Sequence, residues 1–287
     1  MNTFSDLTAR DADRIIRSRA RSFYLASVFL PSAVRRDVRL MYAYYRTVDD
    51  LVDQPPPSWS RARVQEELER LRIREIARPM LNALLLEIAQ IARRHQVPIR
   101  LLDMIIEGAR FDLERKVIET MDDLIEYSVL VAGSVGMVMS HILGARDEVS
   151  VAAARDLGVA MQLTNVLRDV VEDADHGRVY LPREDLERRG CSLSAQKPER
   201  LTPEFREVLR VVALEARRRY IRGWSGIARL DPSVRFSIAL AATLYSRILD
   251  KIERSDFDVF TGRVRVGRIE KWALVMPTYM HHRQTLR

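Results

Sequence analysis

A single cysteine, Cys191, excludes a disulfide framework and every metal site built from several thiolates. The five histidines, at 95, 141, 176, 281 and 282, show neither an HExxH pattern nor His/Cys ligand spacing, which argues against zinc chemistry. No run of 18 apolar residues occurs, so no membrane span is expected. The N-terminus, Met-Asn-Thr-Phe-Ser-Asp, has no apolar stretch and no leading basic residues, which predicts no secretory signal. Internal repeats and low-complexity linkers are also missing. Lysine is scarce: Lys116, Lys197, Lys251 and Lys271 are the only four among 47 basic residues, leaving 43 arginines.

The 287 residues are 47% apolar and 30% charged, enough for a sizeable core and incompatible with a disordered chain. The formal net charge of +7 is carried almost wholly by arginine, whose planar fork of donors suits phosphates. The arginines are scattered, and no zinc finger, RNP motif or recognition helix accompanies them, so nucleic acid is not expected as a partner. An anionic lipid surface or a diphosphate substrate fits the charge equally well. The expectation is a reduced, cytoplasmic protein, with weak peripheral contact to the inner face of the membrane.

Apolar spacing of three and four residues predicts helices over 12–30, 33–53, 60–76, 80–95, 98–116, 121–143, 150–173, 203–229 and 233–254. The breaks carry turn chemistry: Leu30-Pro31-Ser32, the three prolines between Gln54 and Ser58, Val97-Pro98, Gly144 and Asp231-Pro232. Thr120 or Asp122 can cap the helix that runs into Tyr127. Arg178 to Leu181 is the best short strand candidate, inside an irregular stretch over 174–202. One all-α domain spanning 1–287 is the economical reading.

Two of these helices carry acid where apolar residues predominate. Between Ala33 and Asp53, the residues Leu40, Met41, Tyr44, Tyr45, Val48, Leu51 and Val52 leave almost no polar face, the mark of a buried helix. At 100° per residue, Tyr42, Arg46, Asp49 and Asp53 fall within an arc of about 60°, with Asp50 to one side. A solvated acidic end is the ordinary reading of an isolated DDxxD; the apolar flanks here favour an interior stripe. The helix ending at Asp173 repeats the design, with Gln162, Asn165, Asp169 and Asp173 sharing an arc of about 80°. Asn165, Asp169 and Asp173 offer oxygen, the donor that Mg²⁺ selects, and Mg²⁺ completes its shell with substrate phosphates. Two such stripes facing each other would form a metal-bridged diphosphate site, with Arg46 and Arg168 as anion contacts. Calcium buffering is the weaker reading, because no EF-hand loop is present. The small residues Ala132, Gly133, Ser134 and Gly136 fit either close helix packing or the wall of a hydrocarbon channel.

The motifs as a set resemble those of the squalene/phytoene synthase family, head-to-head trans-prenyltransferases of the all-α isoprenoid synthase fold. Ser22-Phe23-Tyr24 with Leu30-Pro31 is similar to an N-terminal element of that family. Tyr42 to Asp53 is similar to its first aspartate-rich motif. Tyr127 with Val131-Ala132-Gly133-Ser134-Val135-Gly136 is similar to a third stretch, and Gln162 to Asp173 followed by Gly177-Arg178-Val179-Tyr180-Leu181-Pro182 to the second aspartate-rich motif. The resemblance covers about residues 15–265, leaving 266–287 as a C-terminal tail. It implies a helical bundle around a central cavity, with Mg²⁺, or Mn²⁺ in its place, held by Asp49 and Asp53 on one side and Asn165, Asp169 and Asp173 on the other. It implies diphosphate contacts from Arg19, Arg21, Ser22, Tyr42, Arg46, Gln162, Arg168, Tyr245 and Arg263, and places Tyr180 in a flap closing the site.

The block from Asn165 to Pro182 looks most like that of bacterial phytoene synthases. That resemblance implies condensation of two geranylgeranyl diphosphates through a cyclopropylcarbinyl diphosphate to phytoene, without NADPH. Presqualene diphosphate, dehydrosqualene or squalene synthesis from farnesyl diphosphate is the alternative. A non-catalytic assembly factor of the same fold is the alternative from another class. The retained aspartates argue for the enzyme.

Overall fold

The computed structural model describes residues 14–18, 20–72, 83–191 and 201–285, the last five without their side chains. Residues 14–18 are helical. They are followed by α1 (Arg21–Ser27), α2 (Ser32–Asp53), α3 (Arg61–Arg70), α4 (Ala83–Arg94) and α5 (Ile99–Glu114). Then come α6 (Met121–Ile142), α7 (Glu148–Asp175), α8 (Arg183–Arg188), α9 (Pro203–Ile227), α10 (Pro232–Arg254) and α11 (Arg268–Thr285). No strand occurs among the described residues, and Arg178 to Leu181 run as irregular chain. The all-α expectation therefore holds, and the strand candidate does not.

Local chemistry sets the helix ends. Thr120 forms a capping box with Asp123, satisfying two backbone donors at the start of α6. Asp147, Thr202 and Asp231 cap α7, α9 and α10 through side-chain oxygens, and proline opens both α9 and α10, where its missing N–H costs nothing. The helix expected over 12–30 is interrupted at Ala20, which is not helical. That expected over 60–76 ends at Arg70, with 73–76 outside the described residues. Within the C-terminal tail expected over 266–287, Arg268–Thr285 form α11, packed along α10.

The helices divide into two hydrophobic clusters. One gathers α7, α9 and α10 around Val159, Leu163, Leu167, Val212 and Leu244. The other gathers α2, α4 and α5 around Met41, Tyr44, Val48, Ile88 and Ile106. Helix α6 belongs to both: Val131 and Met139 pack against each cluster. By length and composition it could cross a bilayer, but here it is packed between α5 and α7. The approach to α7 is very close, since a Cβ on Gly136 would sit 2.1 Å from the Ala154 carbonyl oxygen and one on Gly158 would sit 2.2 Å from that of Ala132. Helix packing therefore accounts for these two glycines. Within α6, Val129–Gly133 forms a π-helical turn, a local widening common beside functional sites. The cores of α2 and α7 lie in different clusters, although Val34 and Val38 of α2 also pack against the cluster that holds α7.

Candidate active site

The polar stripe of α2 sits beside its densest packing, because Met41, Ala43, Tyr44, Val48 and Leu51 take the buried positions. Asp49 is exposed to water, with protein packed around its carboxylate. That enclosure, reinforced by Asp53, pushes its carboxyl up to about 7. Arg46 forms an ion pair with Asp50 one turn away, leaving its Nε buried without a hydrogen-bond partner.

On α7, burial and the neighbouring Asp169 push Asp173 up to about 7 as well. Asp169 is held by Arg168, whose Nε donates over 2.8 Å, and by Arg263, whose Nε lies 2.9 Å from Oδ1. Arg263 also reaches Glu172 at 3.0 Å. Asn165 donates to Gln162 over 3.3 Å, while its own Oδ1 is buried without a partner.

Two groups tie the stripes into one site. Arg178, in the turn after α7, donates to Asp53 of α2 over 2.6 Å and also lies within electrostatic reach of Asp173. Asp112 of α5 is felt by both Asp49 and Asp173. It accepts hydrogen bonds from Tyr180 Oη at 2.7 Å and Tyr127 Oη at 3.0 Å, and the two rings stack with centroids 4.9 Å apart. Burial pushes the Asp112 carboxyl up to about 6. A pocket of about 370 Å³ opens behind this cluster, lined by Phe111, Asp112, Arg115, Arg178 and Tyr180.

Across the cleft, Phe23 of α1 links the stripes through aromatic contacts, with its ring 6.5 Å from Tyr42 and 5.0 Å from Tyr245. Tyr245, on α10, lies beside Arg168, Asp169 and Arg263, and burial raises its phenol. Ser22 is half-buried at the start of α1; Arg21 is exposed there, close to Lys271 of α11. Arg19 lies outside the described residues. The structure places Tyr42, Arg46, Asp49, Asp53, Arg168, Asp169, Asp173, Tyr180, Tyr245 and Arg263 within reach of one another, whereas among the described residues nothing ties Ser22 or Arg21 to them directly.

Sequence reasoning passed over Asp112, Arg178 and the role of Tyr127. For Asp112 a signal existed: it follows the buried Ile105 by seven residues, which puts it on the apolar face of α5. Arg178 sits in irregular chain, where periodicity gives no guidance.

The donor set suits a hard divalent cation. It consists of carboxylates and an amide oxygen, two of the carboxyls are driven up by enclosure and mutual repulsion, and Asn165 Oδ1 has no partner. Among the described residues, no three His, Cys, Asp or Glu side chains already converge on one point. Arginines neutralise Asp53 and Asp169 instead.

Comparison with known proteins agrees with this geometry. Residues 16–270 match the family model described as squalene/phytoene synthase. Phytoene synthase 1 of Arabidopsis thaliana is 35% identical over 91% of the chain, although the chain spans only 63% of that protein's length. The 15-cis-phytoene synthase of a Paracoccus species is 32% identical, with 94% of this chain and 90% of that one covered. The crystal structure of a dehydrosqualene synthase superposes with a TM-score of 0.83 at 27% identity, covering 96% of both chains. A bundle with two oxygen-donor stripes, matched over most of its length, belongs to the squalene/phytoene synthase family.

Proposed function

We propose that the protein condenses two molecules of geranylgeranyl diphosphate head to head, through a cyclopropylcarbinyl diphosphate, to phytoene, in carotenoid biosynthesis. The observation that carries this reading is the pair of oxygen-donor stripes on α2 and α7, which border one cleft and are joined by Arg178. The phytoene synthases among its relatives, from a plant and a bacterium, supply the substrate class.

In this reading Asp49 and Asp53 on one side, and Asn165, Asp169 and Asp173 on the other, hold Mg²⁺, with Mn²⁺ as a substitute. When bound, Mg²⁺ supplies Lewis-acid stabilisation of the charge on a departing diphosphate. Arg46, Arg168, Arg178 and Arg263 surround the same carboxylates and bind diphosphate oxygens as forked donors, joined by Tyr42, Gln162, Ser22 and Arg21. Asp112 fixes the Tyr127 and Tyr180 hydroxyls, so that their stacked rings close one wall of the cleft against water. The half-buried apolar residues of α6, among them Val131, Val135 and Met139, line the path of the hydrocarbon.

Ionisation of one substrate gives an allylic cation and diphosphate. Attack by the double bond of the second, with loss of a proton, gives the cyclopropylcarbinyl diphosphate. A second ionisation, rearrangement and proton loss give phytoene, a forty-carbon hydrocarbon with a central conjugated triene. No reductant enters this balance, so NADPH is not required. The chain meets the membrane peripherally, where so apolar a product must go.

Product analysis tests the reading. Purified protein with Mg²⁺ and no NADPH receives geranylgeranyl or farnesyl diphosphate separately, and lipid extracts are analysed by mass spectrometry before and after phosphatase treatment. A forty-carbon hydrocarbon from the first is the expected result. A thirty-carbon cyclopropyl diphosphate or hydrocarbon from the second alone would move the protein to the farnesyl-based alternative.

A further inference from the structure

The outer face of α11 is apolar. Ile269, Trp272, Met276, Tyr279 and Met280 are 87%, 62%, 62%, 41% and 55% exposed. At 100° per residue they fall within one arc of about 100°. The side turned to the protein carries Leu274, Val275, Thr278, Lys271 and Glu270, so the helix exposes more large apolar side chains than it packs on the core. The stripe continues across the surface, because Tyr279 packs edge-on against Phe236 (5.6 Å), Phe236 packs edge-on against Phe29 (4.9 Å), and Phe29 and Val28 are themselves exposed. A contiguous apolar surface of this kind marks an interaction site.

Charge selects the partner. From Arg263 to Lys271 the chain carries four cations and one acid, Glu270. Glu270 is fully engaged by Arg247 at 2.8 Å and Lys251 at 2.9 Å, which hold it at about 2. Arg265 and Arg268 remain exposed beside the stripe. Apolar residues including Trp and Tyr, rimmed by arginine and with no free acid on the helix, suit the interfacial zone of an anionic bilayer.

We infer that the exposed face of α11, extended by Phe29 and Val28, is the surface on which the protein docks to an anionic lipid bilayer. This rests on the membrane contact proposed above and names its site. The inner side of the same helix is anchored to the protein, since Leu274 packs on the core and Lys271 lies near Arg21 of α1.

The test is flotation of the full chain with vesicles of phosphatidylcholine, with or without phosphatidylglycerol, at low and high salt. The double variant Trp272→Glu/Met276→Glu is compared with the unaltered protein, and circular dichroism and turnover of detergent-dispersed substrate serve as controls. Both residues are exposed and outside the cleft, so fold and turnover should persist. The expected result is flotation with the anionic vesicles that weakens with salt, reduced roughly tenfold or more in the variant. Equal flotation of both proteins would overturn the assignment to α11 while leaving membrane contact standing. No flotation of either would overturn membrane contact and this inference with it. A light-scattering mass showing a dimer that the variant loses, without flotation, would reassign the face to self-association.

Discussion

Burial first, and neighbouring acids second, govern the protonation of Asp49 and Asp173 in the cleft. Asp49 and Asp173 are raised to about 7 from an unfolded value near 4. Between these pH values the folded state binds protons that the unfolded state has released, so stability in the absence of metal falls as pH rises from about 4 to about 7. Metal binding needs the ionised forms and reverses the penalty. The melting temperature of metal-free protein should therefore drop across that interval, and the gain on adding Mg²⁺ should grow with pH; a gain independent of pH would contradict this. Replacing Asp49 or Asp169 by alanine should lower turnover by at least about a hundredfold with unchanged helical content by circular dichroism. Asp112→Asn should lower kcat by about tenfold to a hundredfold with little change in KM, because the Tyr127 and Tyr180 hydroxyls lose their common anchor. Steady-state kinetics separates that result from a binding defect. The two aspartate stripes were legible in the sequence because acid on an otherwise apolar helix violates the usual pattern. Asp112 was harder to see, since a lone acid near a helix end resembles ordinary solvated charge.

At the scale of the helix, most of the architecture follows from periodicity and caps, and the exceptions have physical causes. Helix α11 escaped because Pro277 reads as a breaker and its apolar stripe faces away from the core, so no burial argument supports it. The π turn in α6 leaves no mark in the spacing of apolar residues, and it runs directly into the close contact of α6 with α7 at Gly133. Their contact should be intolerant of a single methyl. Gly158→Ala would press a Cβ onto the Ala132 carbonyl, force the helices apart and cost about 1–3 kcal/mol, measurable by urea unfolding. Gly144→Ala, at a site with nothing within 4 Å but a φ of +85°, would act through backbone strain alone and serves as a comparison.

Across the whole molecule, α2 and α7 are cored by different hydrophobic clusters, and side chains from α1, α5, α10 and the turn after α7 link their polar stripes. The central claim is that both helices hold one cation–diphosphate assembly. Titrating Mn²⁺ into the protein with inorganic diphosphate, followed by electron paramagnetic resonance, tests it most directly, using the unaltered chain, Asp49→Asn and Asp169→Asn. Diphosphate-dependent Mn²⁺ binding that is lost in either variant is the expected result, since in the proposed site each stripe supplies part of the donor set. Binding that survives unchanged in one of them would show that the two helices do not share it.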